Sequence, residues 1–343
     1  MLPSACHATT PKELYFLQVM PIQSDTCILS TQMAVMQKAF NIALSEFKIR
    51  YGDFNVQVIQ DLQIPDEEQL YRTVKAISST HAADKVVVGI TRSTFARVAA
   101  KAALGTSLIG ISSAAFSDEL RKINHNFISV SSPWQRQWGV SIKKLLQLEC
   151  IDNNTLGVFN SKDILSRSYE KGFKDAGFTN TIDSDDLVDP KKHIELNRYS
   201  CIYMGTLLPG SISPLSAIYK NQWAGTVVGM GDWTFYTPEM KELLKRMPNR
   251  KFRIFAPIVW QSTENDRTKV WLKKNFGKNA NTVEPLTMGV YESATLALNY
   301  LYFGADVLAY DRKKWNNFGL LRDYEGMAES GNLLSKVDLV EIK

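Results

Sequence analysis

Hydroxyl side chains follow two successive apolar runs in the first third of this 343-residue chain. The loops after the runs 86–88 and 107–111 carry Ser93, Thr94, Ser112, Ser113 and Ala114. Where a strand leads into a helix, free backbone N–H groups lie beside such hydroxyls, and the helix dipole attracts an anion. The two loops together predict a site for a small carboxylate-bearing ligand, although each hydroxyl taken alone also fits a helix cap.

Charged and aromatic side chains elsewhere extend the predicted site. Asp232 follows a later apolar run and either accepts a charge-assisted hydrogen bond from an ammonium group or serves as a turn residue. Trp233 forms a wall of the same predicted pocket. Arg92 either reaches solvent or, if it faces the ligand, binds a second anionic group. Trp134 begins a predicted helix and either stacks on the ligand or packs within its domain.

Catalytic and metal-binding motifs are missing from the sequence. It contains no nucleophile elbow, Walker loop, dinucleotide-binding glycine motif or His-Glu-x-x-His helix. The four histidines are scattered, and the four cysteines, Cys6, Cys27, Cys150 and Cys201, lack metal-ligand spacing. We therefore expect a non-enzymatic protein without cofactor or metal. Cys150 and Cys201 are interpreted either as buried thiols or as a disulfide, which would need an oxidising compartment.

Short apolar runs rich in β-branched residues alternate with helical segments along the chain. The runs begin near residues 14, 54, 85, 107, 127, 156, 201, 226 and 254. Between two of them the apolar side chains step by three and four positions, as in Met33, Met36, Phe40, Leu44 and Phe47. This alternation predicts an α/β fold in which crossover helices cover parallel sheets.

The length of the chain predicts two domains. Changes of rhythm near 131–133, after residue 259 and near 320–325 predict three crossings between them. The expected architecture is two doubly wound parallel-sheet lobes joined by a three-strand hinge. Its expected bounds are 13–130 plus 260–321 for lobe I, 131–259 plus 322–343 for lobe II, and 1–12 for a flexible N-terminus.

Charge and hydropathy disfavour two classes of protein. The formal net charge is +5 and the two signs are interspersed, so we expect no nucleic-acid partner. Basic residues interrupt the most apolar stretch, 86–116, so we expect no transmembrane segment. The triplet Ser4-Ala5-Cys6 fits the end of a bacterial lipoprotein cleavage site. A lipid anchor through Cys6 is one interpretation, and an unstructured start is the other.

Several segments, in order, resemble the type I periplasmic binding proteins, especially the branch that binds branched-chain amino acids and related amides. They are 38–44 with Tyr51-Gly52, 86–89 with Arg92-Ser93-Thr94, Ser112-Ser113-Ala114, Ser131-Ser132-Pro133, 168–173, 229–233 and 289–294. The sequence departs from the family's pattern at Ile90, where proline is common, and at Ile164, where an aromatic residue is expected. These departures bear on the identity of the ligand more than on the fold.

The resemblance implies a periplasmic or extracytoplasmic protein that closes around a small polar ligand, with an amino acid or related compound favoured. Ile164 and Thr206 complete the predicted ligand-binding residues. Such a protein delivers its ligand to an ABC permease. The alternative is a sensory protein whose closed state is read by a receptor, and a hydrolase is less favoured. We expect a monomer.

Overall fold

The computed structural model describes residues 11–19, 26–80, 84–117, 119–192, 194–207, 210–231, 238–258, 266–283, 285–309 and 312–342. These residues group into two compact units, each assembled from separate stretches of the chain. Unit 1 takes its described residues from Met1–Ser131, Gly289–Leu320 and Gly326–Leu333. Unit 2 takes its described residues from Ser132–Met288, Leu321–Glu325 and Leu334–Lys343.

Strands and helices alternate through most of this structure. In chain order the strands are β1 (Lys12–Val19), β2 (Val56–Ile64), β3 (Lys85–Val88), β4 (Ile109–Ser112), β5 (Phe127–Ser129), β6 (Thr155–Phe159), β7 (Thr181–Asp183), β8 (Cys201–Gly205), β9 (Gly225–Gly229), β10 (Phe252–Ile258), β11 (Tyr324–Met327), β12 (Leu333–Ser335) and β13 (Asp338–Glu341). The α-helices are α1 (Thr26–Tyr51), α2 (Glu67–Ser78), α3 (Ser93–Ala102), α4 (Leu120–Ile123), α5 (Trp134–Gln147), α6 (Ile164–Asp175), α7 (Ser184–Val188), α8 (Ile212–Lys220), α9 (Pro238–Lys245), α10 (Asp266–Phe276), α11 (Pro285–Phe303) and α12 (Arg312–Trp315). Short 3-10 helices are formed by Asp152–Asn154, Leu196–Arg198, Gly277–Thr282 and Ala305–Leu308.

The sheet of unit 1 is parallel throughout and has the strand order β2-β1-β3-β4-β5. Its central strand β3 is buried along its whole length, as expected for a strand that helices cover on both faces. Helix α2 directs Leu70 and Val74 into the same apolar core as Val87 of that strand. Helix α2 begins after Asp66, whose carboxylate accepts a hydrogen bond of 2.7 Å from the backbone N–H of Gln69.

The main sheet of unit 2 repeats this arrangement. Its order is β13-β10-β9-β8-β6-β7, and all pairs are parallel except β10 with the edge strand β13. Read from the β7 edge and without β13, the sheet has its second strand along the chain first, then its first, third, fourth and fifth, as in unit 1. Its core contains Ile202, Val227 and Ile254 from three adjacent strands, together with the buried Trp223. A separate sheet contains only β11 and β12.

A turn with restricted geometry follows β3 and sets the start of α3. Gly89 has a φ of 89°, where a residue with a Cβ is disfavoured. A Cβ built on it would lie 2.3 Å from the backbone oxygen of Leu17 in β1. The glycine therefore allows the chain to pass closely over β1 before α3 begins.

The α/β class and all nine predicted strands are confirmed, since each predicted run overlaps an observed strand. Four short strands, β7, β11, β12 and β13, were not predicted. Each has only three or four residues and is at most partly buried, so no continuous apolar run marks it in the sequence. The equally short β3, β4 and β5 were predicted because they are buried along their whole length.

The two units differ from the predicted lobes in the last third of the chain. Residues 266–288 belong to unit 2 rather than to the first lobe, and within unit 2 Arg267 forms an ion pair with Asp323. Residues 326–333 belong to unit 1, where the Asn332 side chain donates hydrogen bonds to the backbone oxygens of Ala115 and Ser131. Of the predicted flexible segment 1–12, Lys12 lies in β1, and residues 1–10 are outside the described residues.

A disulfide links Cys150, which follows α5, to Cys201, the first residue of β8. Their Cα atoms are 6.0 Å apart, within the usual range for a disulfide. Both residues are buried. Of the two interpretations of this pair, the structure therefore supports the disulfide. Cys6 lies outside the described residues, and so does the side chain of Cys27.

Candidate functional site

The carboxyl ends of β3 and β4 bring the two predicted hydroxyl loops together in unit 1. These strands pair directly, with Val88 opposite Ile111, so the loops that follow them are neighbours. The Ser93 hydroxyl, at the start of α3, accepts hydrogen bonds from the amides of Phe116 and Ser117, at 3.1 and 3.2 Å. Ser93 thus ties the loop after β4 to the N-terminus of α3.

The hydrogen-bonding capacity of Ser93 is only partly used. Its oxygen accepts from two amides, but no described residue accepts its hydroxyl hydrogen. Thr94, the next residue, is half-buried, and its hydroxyl has no hydrogen-bond partner within the described part of the chain. Because a serine hydroxyl donates one hydrogen bond, Ser93 can still donate to an added acceptor atom.

The other hydroxyls of this group are already bound inside unit 1. The Ser112 hydroxyl donates to the backbone oxygen of Ile90 at 2.8 Å and accepts from the amide of Ala115 at 3.0 Å. The Ser113 hydroxyl shares a hydrogen bond of 2.9 Å with that of Ser293. Ala114 is buried beside them. The predicted contact of these three residues with a ligand stays a prediction.

Positive potential is concentrated at the N-terminus of α3. Arg92 occupies its N-cap position and is exposed, with an extended backbone and no side-chain hydrogen bond to the helix. The helix has ten residues, and no acidic residue occurs in its first turn. An unoccupied helix N-terminus carries about half a positive charge, which favours an anion. Ser93, Thr94 and Arg92 therefore form an arrangement suited to a carboxylate.

In unit 2 a cluster of polar and aromatic side chains lies at the carboxyl end of β9. Trp134 begins α5, is half-buried, and its ring packs on Tyr169 with centroids 5.4 Å apart. The Tyr169 hydroxyl donates to the backbone oxygen of Met230 at 3.4 Å. Gln137, one turn along α5 from Trp134, lies beside Gly231. The sequence analysis did not single out Gln137, because a glutamine in an amphipathic helix has no distinguishing pattern.

The remaining predicted residues of unit 2 are distributed differently. Thr206 follows β8 and is completely buried, and its hydroxyl forms a hydrogen bond of 2.8 Å with that of Ser211. Ile164 is the first residue of α6, and its side chain lies outside the described residues. Asp232 and Trp233 also lie outside them, immediately after Gly231. Their roles in binding stay predictions.

The described residues offer neither a metal site nor a membrane-spanning helix. They contain no group of three or more His, Cys, Asp or Glu residues arranged to hold a metal ion. None of their helices is long and apolar enough to cross a bilayer. A surface depression of about 640 Å³ lies beside α7 and α8, lined by residues such as Asp189, Lys192 and Lys220. None of the predicted ligand-binding residues lines it.

Comparison with known proteins gives matches among solved structures. No protein-family model matches the chain, and neither does any curated protein. A branched-chain amino acid transporter substrate-binding protein from Streptococcus pneumoniae, solved with isoleucine, has a TM-score of 0.66 at 15% identity, covering 97% of this chain and 99% of its own. A leucine-binding protein from Thermotoga maritima has a TM-score of 0.67 at 12% identity, covering 96% and 94%.

The fold is that of the type I periplasmic binding proteins. A third structure agrees: an ABC transporter solute-binding protein from Rhodopseudomonas palustris, solved with p-hydroxybenzoic acid, has a TM-score of 0.69 at 11% identity, covering 97% and 93%. Both units have the doubly wound strand order 2-1-3-4-5, and in doubly wound sheets ligands bind beyond the carboxyl ends of the strands. Ser93 and Gln137 both lie at such ends.

Proposed function

We propose that this protein is an extracytoplasmic solute-binding protein for a small carboxylate-bearing compound, most simply an amino acid, and that it delivers this ligand to an ABC permease. The observation that carries the proposal is the hydrogen bonding of the Ser93 hydroxyl. Its hydroxyl is oriented by two amide donors and retains one hydrogen to donate, at the N-terminus of a helix.

The chemistry of this helix end favours a carboxylate over a neutral ligand. Hydrogen bonds to a charged acceptor are stronger than those between neutral groups. The hydroxyls of Ser93 and Thr94 supply two donors, while the dipole of α3 and the guanidinium of Arg92 supply positive potential. A carboxylate uses all of these features, and a sugar hydroxyl uses only the donors.

The ligands of the solved relatives support the same class. Isoleucine and p-hydroxybenzoic acid are named with two of the structures described above, and leucine and 3,4-dihydroxybenzoic acid with two further matching structures. All four ligands are carboxylic acids, although their other ends differ. An amino acid also needs an acceptor for its ammonium group, and Asp232 is our proposed acceptor, with Trp233 as a neighbouring wall.

The buried disulfide supports a location outside the cytoplasm. Disulfides form and persist in oxidising compartments and are rare where glutathione keeps thiols reduced. The link between Cys150 and Cys201 therefore fits a periplasmic or other extracytoplasmic protein. For Ser4-Ala5-Cys6 a lipid anchor and an unstructured start stay the two interpretations, and mass spectrometry of the protein from native membranes distinguishes them.

Calorimetry of ligand binding tests the proposed ligand class. The probes are L-isoleucine, L-leucine and p-hydroxybenzoate, with glucose as the uncharged comparison. Thr94→Val preserves the shape of the side chain and should weaken carboxylate binding about 10-fold without loss of stability, since the hydroxyl has no partner to lose within the described structure. Ser93→Ala should weaken it more and also lower stability, because Phe116 and Ser117 lose their acceptor.

Ser79→Ala is the matched control. Among the described residues, this exposed hydroxyl at the C-cap of α2 bonds only to the Lys75 oxygen, at 3.0 Å, so its loss should leave affinity unchanged. Binding of glucose but of no carboxylate would contradict the proposal. A deletion strain then separates transport from sensing: loss of ligand uptake supports delivery to a permease, and intact uptake with a lost response supports a receptor partner.

A further inference from the structure

Unit 2 contains a buried hydrogen-bond donor that its own fold does not use. Gln137 lies in α5 and is 1% exposed. Its Nε2 atom has no hydrogen-bond partner among the described residues. A buried amide without a partner is disfavoured, and most buried side-chain donors in folded proteins are satisfied. A methionine or leucine of similar size would fill the same space without this penalty.

The side-chain amide of Gln137 lies beside the glycine that follows β9. A Cβ built on Gly231 would lie 2.5 Å from Oε1 of Gln137, so the amide lies directly against this glycine. The same Cβ would lie 3.8 Å from the backbone oxygen of Pro257 in β10. One turn further along α5, the Ser141 hydroxyl donates to the Gly229 oxygen at 3.0 Å. These contacts hold the amide at the carboxyl ends of β9 and β10.

The surroundings of the amide have the properties of a ligand-binding position. Helix α5 has fourteen residues, begins after Pro133 and has no side chain capping its N-terminus. Gln137 therefore lies in the first turn or so of a helix whose dipole favours electron-rich groups. Trp134 and Tyr169 form an aromatic pair beside it. In doubly wound sheets, ligands bind at this end of the strands.

We propose that Gln137 determines ligand specificity in unit 2, by donating a hydrogen bond from Nε2 to an oxygen atom of the bound solute. This inference rests on the proposed solute-binding function. The amide nitrogen donates to a carboxylate, carbonyl or hydroxyl oxygen, and it discriminates against a ligand that presents an ammonium group there, because an ammonium group has no acceptor. A site built around such a donor also rejects analogues that lack the oxygen, because the donor then stays unpaired.

The test compares Gln137→Met with wild type in calorimetry and thermal melting, with L-isoleucine, L-leucine and p-hydroxybenzoate as probes. We expect the dissociation constant of the bound probe to rise at least 10-fold, while the melting temperature of the ligand-free protein stays the same or rises. A purely structural glutamine would lower the melting temperature instead. Gln147→Met, an exposed glutamine at the end of the same helix, is the matched control and should change neither quantity.

The possible outcomes are separable. An unchanged dissociation constant in Gln137→Met overturns this inference alone, whether or not the melting temperature changes, and leaves the proposed function standing. Absence of wild-type binding to any probe overturns the proposed function and this inference together. If Gln137→Met does not fold, Gln137→Asn withdraws the same amide by one methylene, and the same rise in dissociation constant is required of it.

Discussion

Ser113 and Ser293 share a buried hydrogen bond of 2.9 Å between their hydroxyl oxygens, although they are 180 positions apart in the chain. Ser113 follows β4, and Ser293 lies in α11, so the bond attaches α11 to the loop after β4 in unit 1. Gly289, one turn earlier in α11, approaches Ser113 so closely that a Cβ would lie 2.3 Å from its backbone oxygen. The loop that carries two predicted ligand-binding serines is therefore positioned by a helix that comes much later in the chain.

Ser293→Ala should destabilise the protein, because it leaves the buried hydroxyl of Ser113 without its partner. The expected loss in the free energy of unfolding is about 1–3 kcal/mol, measured by urea denaturation. The double variant Ser113→Ala with Ser293→Ala is the control, because it removes both ends of the bond. Its loss should be smaller than the sum of the two single losses, and strict additivity would show that the bond contributes nothing.

Removing the disulfide should lower stability by a larger amount. The link closes a loop between residues 51 positions apart, for which the chain-entropy model gives about 4 kcal/mol. The variant with Cys150→Ala and Cys201→Ala should therefore melt well below wild type. Peptide mapping of the wild-type protein without reduction should recover the two cysteines in one linked species. Recovery of both as free thiols would contradict the pairing.

Gly89→Ala should destabilise unit 1 more than Gly105→Ala, although both glycines have a positive φ, 89° and 76°. A Cβ at Gly105 meets no atom within 4 Å, so Gly105→Ala should lower the free energy of unfolding by about 1 kcal/mol, through backbone strain alone. At Gly89 the Cβ also collides with the Leu17 oxygen, and overpacking should add about 1–3 kcal/mol. Equal losses in urea denaturation would argue against the close approach to β1.

Alkaline pH should weaken unit 1 partly through Tyr15. Burial, together with the hydrogen bond that its hydroxyl donates to Glu13, raises the pKa of Tyr15 to about 12 from its ordinary value of 10.0. The unfolded chain therefore ionises first as the pH rises, so this stabilisation is present below pH 10 and is lost as the pH approaches 12. Tyr15→Phe removes the titrating group, and its stability should fall less between pH 9 and pH 11. The same fall in both proteins would contradict this account.

The fold followed from the sequence wherever the signal was local. Runs such as 86–88, with three consecutive valines, are continuous because helices cover β3 on both faces. The order of the strands in each sheet could not be predicted from such local patterns. It depends on which helix covers which face, and the pairing of β13 with β10 joins residues 80 to 86 positions apart.

The division into units was harder to predict for the same reason. The segment 326–333 belongs to unit 1 because Asn332 binds two backbone oxygens there, and Ser129 donates its amide to the oxygen of Gly331. Neither contact leaves a pattern in the neighbouring sequence. The pairing of Cys150 with Cys201 stayed open for a similar reason, since cysteine spacing does not determine which partners meet.

The candidate site was predictable in part. Residue type and position after a strand were enough to identify Ser93 and Thr94, because helix starts at strand ends are common anion sites. Two other aspects could not be read from the sequence. The hydroxyls of Ser112, Ser113 and Thr206 are bound within the fold, and Gln137 is an unused donor. Both depend on the three-dimensional partners of each atom.

The assembly of each unit from distant stretches affects how the protein is made. A ribosome must synthesise the chain past residue 332 before Asn332 can reach β5, and past residue 341 before β13 can cover the edge of β10. Until then the nascent polypeptide exposes an unpaired strand edge that can join other chains. A prematurely terminated product should therefore aggregate rather than fold as a half-molecule, and holding chaperones should be needed late in synthesis.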